Sequence, residues 1–210
     1  MPSSSWPFNY HFINAERIYQ INRDLWQKLE QRYRIGGHFL AALKSLYERV
    51  DCAVNTNYSL SNWFEVGCGV KQGCILSPTL FALFVDDLVQ ALNDEDKGVV
   101  FGDSMLTALL YADDIVLTVP NETKLQDLLG VVENWCRTWC MSLNIAKTNI
   151  VHSRRKCKGC TRSKFIFTYQ GKTIQFASQY KYLGLLFNEH LQWDKAVEAI
   201  LCKANRALAI

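Results

Sequence analysis

The chain lacks the segments that would carry it into a membrane or out of a cell. Its longest apolar run, at about residues 80–85, is far shorter than the roughly 20 residues that a membrane-spanning helix needs. Residues 1–5 (MPSSS) have neither the basic start nor the apolar core of a secretory signal. We therefore expect an intracellular protein, in the cytoplasm or the nucleus, that is not secreted and has no membrane partner.

The chain also lacks internal repeats, low-complexity linkers and a strong charge of either sign. Its 23 Lys and Arg residues against 20 Asp and Glu residues leave a net charge of +3, which alone does not imply a nucleic-acid partner. With 210 residues, 49% of them hydrophobic, the chain can bury a core and form about one domain or a little more.

The cysteines do not form a complete zinc or disulfide framework. Among the 8 cysteines, Cys157 and Cys160 have CxxC spacing, but no second close Cys or His pair follows them. Reduced thiols are the expectation for an intracellular chain, and a zinc site at this pair stays open as the alternative.

The most informative stretch is Tyr111-Ala112-Asp113-Asp114, which lies between two strand-like runs at residues 107–111 and 115–119. Two adjacent carboxylates repel each other, and each raises the pKa of the other. A divalent cation such as Mg²⁺ resolves this conflict, because it takes oxygen ligands and shares them with substrate phosphates. The alternative is a plain polar turn, since Asp is common where hairpins reverse.

A second segment, residues 69–78 (GVKQGCILSP), precedes a strong helical pattern. Gly73 permits close approach of the backbone to a ligand, and Gln72 can both donate and accept hydrogen bonds. Ser77 and Pro78 are typical of a helix start. In this order, GxxQGxxLSP followed by YADD resembles the reverse transcriptases of non-LTR retrotransposons.

The resemblance implies an RNA-directed DNA polymerase that uses Mg²⁺ or Mn²⁺ and deoxynucleoside triphosphates, with an RNA template and a DNA primer as partners. By this resemblance, Asp113 and Asp114 are metal ligands and catalytic residues. Gln72 and Gly73 then shape the nucleotide pocket, and Tyr111 supports the primer end.

Two downstream segments extend the resemblance. Residues 143–148 (LNIAKT) resemble the family segment whose lysine lies near the leaving pyrophosphate, which makes Lys147 the third expected catalytic residue. Residues 182–184 (YLG) resemble the primer-grip turn, and Gly184 suits a sharp reversal.

The first palm strand departs from the family pattern. Residues 13–20 (INAERIYQ) resemble I-D-A-E-K-A-F-D, so Asn14 stands where the family has its third metal-binding aspartate. Tyr19 fits the steric-gate position that favours deoxynucleotides. An amide carries no charge, and Glu16 could compensate only if the strand register slipped. We therefore expect impaired polymerisation.

A basic strip lies between residues 152 and 164, where no acidic residue occurs. Such a strip can neutralise phosphates and make nucleic-acid binding dependent on salt, although a charge run this short is also typical of a solvated loop. The strip consists of Arg154, Arg155, Lys156, Lys158, Arg162 and Lys164, of which the first four are the candidate phosphate contacts.

The expected fold is α+β, with a polymerase palm-like antiparallel sheet packed on helices. We predict an N-terminal tail over residues 1–12, a palm over 13–190 and the start of a thumb or connection helix over 191–210, with no fingers. A longer protein could supply the missing subdomains. The alternative is a non-catalytic nucleic-acid-binding remnant of a retrotransposon, and an inert, poorly folding fragment is the third possibility.

Hydrophobic periodicity predicts the elements. Helices are expected near residues 25–33, 39–47, 77–93 and 122–140, and from 193 onward. Strands are expected at residues 53–58, 64–68 and 182–187, and as a hairpin at 165–169 and 173–176. On the helix at 77–93, Asp86 and Asp87 are interpreted as surface or capping charges rather than metal ligands.

Overall fold

A computed structural model of the chain describes residues 9–14, 21–48, 51–55, 59–65, 74–154 and 163–208, with side chains described from residue 25 onward within these ranges. The chain divides into two compact units. The first, here called the sheet unit, comprises Met1–Ala15, Ala91–Asn134 and Leu143–Ile210. The second, here called the helical unit, comprises Glu16–Gln90 and Trp135–Ser142.

The described residues form helices and groups of short, mainly antiparallel strands, as expected for the predicted α+β class. The helices are α1 (Ile21–Gln31), α2 (Gly37–Glu48), α3 (Ser77–Asp94), α4 (Glu122–Thr138) and α5 (Asp194–Leu208). The strands are β1 (Asn9–Asn14), β2 (Asp51–Cys52), β3 (Phe64–Glu65), β4 (Val99–Phe101), β5 (Ser104–Leu106), β6 (Ala108–Tyr111), β7 (Asp114–Val119), β8 (Asn149–Val151), β9 (Phe167–Tyr169), β10 (Lys172–Phe176), β11 (Gln179–Tyr182) and β12 (Leu185–Asn188).

The sheet unit is built on a six-stranded sheet with the order β6-β7-β1-β8-β10-β9. Neighbouring strands are antiparallel, as predicted, except for the parallel pair of β8 and β10. Smaller antiparallel pairs form from β11 with β12, β2 with β3, and β4 with β5. The predicted tail over residues 1–12 includes most of β1, which begins at Asn9.

Strand β7 is buried on both faces of the sheet. Ile115, Val116, Leu117 and Val119 are each at most 4% exposed. Thr118 is also buried, and its hydroxyl donates to the carbonyl of Leu106 at 2.6 Å, so its polar atom is satisfied. Such packing makes β7 a firm support for the residues at its N-terminal end.

The predicted hairpin around Gln170 is confirmed, and the single strand predicted over residues 182–187 is wrong. The chain reverses inside that segment, between β11 and β12. Leu183 has φ 47 and Gly184 has φ 87, which is typical of a two-residue type I′ turn. The apolar run continues through the reversal, so its hydrophobicity alone did not mark the turn.

In the helical unit, α1 is fastened to α3 by a buried lysine. Lys28 is 5% exposed, and its ammonium donates to the carbonyl of Phe84 at 2.6 Å and to Asp87 Oδ1 at 2.8 Å. It also lies 4.2, 5.0 and 3.8 Å from the ring centroids of Phe84, Trp135 and Trp139. Hydrogen bonds and aromatic faces together compensate the cost of burying this charge.

Asp86 and Asp87 bind side chains rather than capping a helix. The indole Nε1 of Trp135 donates to Asp87 Oδ1 at 2.9 Å, beside the Lys28 contact. Arg32 and Tyr33 both donate to Asp86 Oδ2 at 3.0 Å, and the hydrogen bond from Arg32 is the main cause that lowers the pKa of Asp86. The capping interpretation was therefore wrong, although Asp86 does lie at the surface.

The end of α4 and the start of α5 lie within a few residues of the predicted positions. Helix α4 ends at Thr138, and Cys140 is exposed with φ 51 rather than helical as expected, whereas Cys136 is buried in the core. Helix α5 begins at Asp194. None of the helices in the described ranges has the length and apolar character to cross a bilayer.

Candidate active site

The YADD segment forms the tight turn between β6 and β7. Tyr111 and Asp114 are the closing pair, so Ala112 and Asp113 make a two-residue turn. Ala112 has φ 51, in the left-handed region that favours glycine. A non-glycine residue held in this conformation costs free energy and is found preferentially where function requires a particular geometry.

The two carboxylates of this turn have different surroundings. Asp113 is exposed at the tip, whereas Asp114 is half-buried at the start of β7. Burial is the main cause that raises the pKa of Asp114, and the neighbouring charge of Asp113 raises it further. A cation at this tip would reverse both effects, because it stabilises the ionised carboxylates.

Position 14 lies directly beside this pair in the sheet. In the register of β1 against β7, Asn14 is the partner of Asp114. The resemblance predicted that residue 14 and the acidic turn lie on adjacent strands, and the register confirms it. The residue that meets Asp114 is an amide rather than the aspartate of the family pattern.

The hairpin of β11 and β12 packs beside the same end of the sheet. Tyr180, Tyr182 and Phe187 are partly buried against Val116 and Val151. The pKa of Tyr182 is raised mainly by burial, then by the charge of Asp114 and by Tyr180. The segment predicted to resemble the primer-grip turn therefore lies within electrostatic range of Asp114.

Lys147 lies in a tight turn directly before β8. The carbonyl of Asn144 accepts hydrogen bonds from the backbone N–H groups of Lys147 at 3.1 Å and Thr148 at 2.9 Å. The hydroxyl of Thr148 also donates to that carbonyl, at 2.8 Å. The Lys147 side chain is exposed, and its catalytic role stays a prediction.

The structure assigns Arg154 to an internal ion pair. Its guanidinium binds the carboxylate of Glu189 at 2.9 Å, with side chains 20% and 14% exposed, and its backbone N–H donates to the Glu189 carbonyl at 2.8 Å. The charge of Arg154 is therefore already paired with a carboxylate within the chain, and its contact with phosphate stays a prediction.

Several predicted site residues lie outside the described residues, and their roles stay predictions. They are Glu16, Tyr19, Gln72, Gly73, Arg155, Lys156, Cys157, Lys158, Cys160 and Arg162.

The donor set at the turn suits a cation that is completed by substrate. Over the described residues, no cluster of three or more His, Cys, Asp or Glu side chains could hold a metal ion. Asp113 and Asp114 supply two carboxylates, and Mg²⁺ commonly binds through one or two carboxylates together with water and substrate phosphates. The residues present therefore fit such a cation, with one anionic ligand fewer than the family pattern.

The sequence did not indicate the buried cluster on which the β11–β12 hairpin packs. Val116 and Val151 form this cluster, and Tyr180, Tyr182 and Phe187 pack against it. The signal for Tyr180 and Tyr182 was their spacing of two, which is typical of one strand face. It could not show which part of the sheet that face would cover.

Comparisons with known proteins agree with this arrangement. The family model for reverse transcriptase (RNA-dependent DNA polymerase) matches residues 23–187. The chain is 35% identical over 133 residues to a retrovirus-related Pol polyprotein from the type-1 retrotransposable element R2 of Popillia japonica, which covers 61% of this chain and 22% of that protein. It is 26% identical over 200 residues to a probable RNA-directed DNA polymerase from the transposon X-element of Drosophila melanogaster, which covers 92% of this chain and 20% of that protein.

A solved structure shares the fold. The chain is similar to apo telomerase from Candida tropicalis with a TM-score of 0.57 and 13% identity, over 89% of this chain and 35% of that one. The chain thus spans about a fifth of the retrotransposon proteins named above and about a third of the telomerase chain. The family match, the YADD turn and its strand neighbours lead to one conclusion: the chain belongs to the reverse transcriptase (RNA-dependent DNA polymerase) family of the kind found in non-LTR retrotransposons.

Proposed function

We propose that the chain is the palm of an RNA-directed DNA polymerase whose synthesis is impaired by Asn14. The observation that carries the proposal is the pairing of Asn14 with Asp114 beside the acidic turn. The family pattern has a carboxylate at this position, so the chain keeps the layout of the site and loses one of its charges.

Asp113 and Asp114 are the proposed ligands of Mg²⁺ or Mn²⁺. A cation bound there would promote attack by the primer 3′-hydroxyl and neutralise charge on the leaving pyrophosphate. Tyr111, which is 62% exposed beside the turn, supports the primer end. Lys147 offers positive charge toward the pyrophosphate.

The nucleotide pocket is proposed from the family resemblance. Gln72 and Gly73 shape it, and the ring of Tyr19 selects deoxynucleotides by excluding a ribose 2′-hydroxyl. An RNA template and a DNA primer are the proposed partners, with Arg155, Lys156 and Lys158 as candidate phosphate contacts. Further subdomains of a longer protein complete the nucleic-acid channel.

The impairment follows from charge. Metals that face a triphosphate need anionic ligands, and an amide at position 14 contributes a neutral oxygen or nitrogen. With only the two Asp carboxylates, cation binding is weaker and neutralises less of the charge that develops during transfer. We therefore expect slow synthesis rather than altered template choice.

A primer-extension assay on an RNA template with Mg²⁺ or Mn²⁺ tests the proposal. We compare the chain as it is with Asn14→Asp and with Asp113→Asn, and we expect extension to rise with the first change and to vanish with the second. Robust extension by the unchanged chain, equal to that of Asn14→Asp, would overturn the impairment. Extension that survives Asp113→Asn would overturn the assigned site.

The second candidate function is binding without synthesis. The acid-free stretch between residues 152 and 164 favours it, although Arg154 is paired internally. Filter binding of an RNA–DNA duplex across a salt series tests it directly. Affinity that falls steeply with salt, together with no extension by Asn14→Asp, would favour a binding remnant. Absence of salt-dependent affinity would exclude it.

A further inference from the structure

One margin of the six-stranded sheet is covered by side chains of a helix. Among the strands that the structure describes, β9 is the last of this sheet, and its partner strand is β10. An edge strand normally presents unpaired N–H and C=O groups, which are a template for pairing with another chain. In this chain, the side chains of α4 occupy that template.

The register identifies which backbone groups face outward. Tyr169 is paired with Lys172 and closes a two-residue turn, Thr168 is paired with Thr173, and Phe167 is paired with Ile174. Hydrogen-bonded and non-hydrogen-bonded pairs alternate along an antiparallel ladder, and the pair that closes a two-residue turn is hydrogen-bonded. The outward groups of β9 are therefore the N–H and the C=O of Thr168.

Gln126 on α4 satisfies both of these groups. Its Nε2 donates to the Thr168 carbonyl at 2.9 Å, and its Oε1 accepts from the Thr168 N–H at 3.0 Å. One side-chain amide thus makes the two bonds that a neighbouring strand would make. Two turns along the same helix face, Glu133 Oε2 accepts from the backbone N–H of Gln170 at 3.1 Å.

We propose that α4 acts as a strand surrogate, in which Gln126 closes the β9 edge against strand addition by a second copy of this chain. The strand needs such closure because Phe167 and Tyr169 are 0% and 1% exposed, so β9 is strongly apolar on one face. Thr168 and Gln170, by contrast, are exposed. The amide of Gln126 bonds the backbone of Thr168, and the carboxylate of Glu133 bonds the backbone N–H of Gln170. The closure is independent of the polymerase proposal, since none of these residues belongs to the candidate active site.

Hydrogen exchange followed by NMR on the full chain measures how well Gln126 protects the backbone N–H of Thr168. In Gln126→Ala, we expect the Thr168 amide to exchange about tenfold faster or more, because it loses its acceptor. The Tyr169 amide, which bonds within the ladder, should keep its rate. Gln175→Ala is the matched control, since Gln175 is an exposed glutamine on β10 of the same sheet. An unchanged Thr168 rate in Gln126→Ala would overturn the proposal.

Analytical ultracentrifugation measures whether loss of the Gln126 contacts lets copies of the chain associate. We expect Gln126→Ala to associate as its concentration rises, whereas the unchanged chain and Gln175→Ala do not. Adding Thr168→Lys to Gln126→Ala places a charge on the opened edge and should restore the monomer. A Gln126→Ala chain that stays monomeric, or one whose association Thr168→Lys does not reduce, would overturn the proposal.

A milder variant covers the case in which Gln126→Ala does not fold. In Gln126→Glu, a carboxylate can still accept from the Thr168 N–H but can no longer donate to the Thr168 carbonyl. We expect this variant to keep the slow exchange of the Thr168 amide and to associate more than the unchanged chain. Fast exchange of that amide, or no added association, would contradict the assigned geometry.

Discussion

Asn14 and Asp114 are directly opposed in the antiparallel pair of β1 and β7. Cα atoms of directly opposed residues lie about 4.5–5.5 Å apart, so a change at position 14 acts on Asp114 at close range. Strand β7 begins with the half-buried Asp114, and its other five residues are buried. The carboxylate thus lies at the end of this otherwise buried strand.

Asn14→Asp should tighten the binding of Mn²⁺ by about tenfold or more, because it adds a carboxylate beside Asp114. Electron paramagnetic resonance of Mn²⁺ titrated with the chain measures the affinity without need of enzymatic activity. Asn9→Asp is the control, since Asn9 lies at the other end of β1, opposite Val119. If the two variants bind Mn²⁺ equally, position 14 is not part of a metal site.

Asp114→Asn should stabilise the metal-free chain at neutral pH. Burial and the charge of Asp113 raise the pKa of Asp114 above its ordinary value of 3.8, so the folded state holds the proton more tightly than the unfolded state. The stabilisation from protonated Asp114 is full below pH 3.8 and is lost as the pH rises through the folded pKa. The gain from Asp114→Asn should therefore be present at neutral pH and absent near pH 3.

Thermal unfolding at several pH values measures whether Asp114→Asn raises or lowers the stability of the metal-free chain. Saturating Mn²⁺ should reverse the difference, because a bound cation stabilises the ionised carboxylate that Asn lacks. A loss of stability in metal-free Asp114→Asn at neutral pH would contradict the electrostatic account.

Lys28→Met should lower the free energy of unfolding by about 3 kcal/mol or more, since it leaves the Asp87 carboxylate without its cation in a largely buried place. Lys44→Met on the exposed face of α2 is the control and should change stability by less than about 0.5 kcal/mol. Urea unfolding followed by tryptophan fluorescence measures both. The double change Lys28→Met with Asp87→Leu should recover part of the loss, and no recovery would show that the charge pair is not the cause.

Gly184→Ala should destabilise the chain by about 1 kcal/mol or more, because φ 87 is strained for a residue with a Cβ atom. Apart from its chain neighbours, no atom of the described residues lies within 4 Å of the added Cβ, so the cost comes from the backbone rather than from a clash. Gly130→Ala in the middle of α4 also meets no atom within 4 Å and should instead stabilise by about 0.5–1 kcal/mol. Chemical denaturation distinguishes the two signs, and equal effects would contradict the turn assignment.

Hydrophobic spacing along the chain predicted the helices and turns that form from residues close in sequence. Helices α3 and α4 followed from their apolar spacing, and the YADD turn followed from two strand-like runs on either side of it. Position 14 was found only by resemblance, because a short strand with an amide carries no signal of its own. The register then confirmed that it meets Asp114.

Contacts between distant segments were not predictable from periodicity. Lys28 reads as a residue of the polar face of α1, and only the folded helical unit places aromatic rings around its ammonium. Gln126 likewise reads as a solvated residue of α4, although its partner Thr168 is 42 residues away. The sequence around a polar helix residue does not indicate that its side chain will bind the backbone of a distant strand.

The raised pKa of Asp114 has an evolutionary consequence. An ionised carboxylate that opposes folding is kept only as long as selection for chemistry outweighs its thermodynamic cost. Neutral replacements around this turn therefore meet no barrier from the fold, and a lineage that stopped synthesising DNA would lose its acids here before it lost its shape.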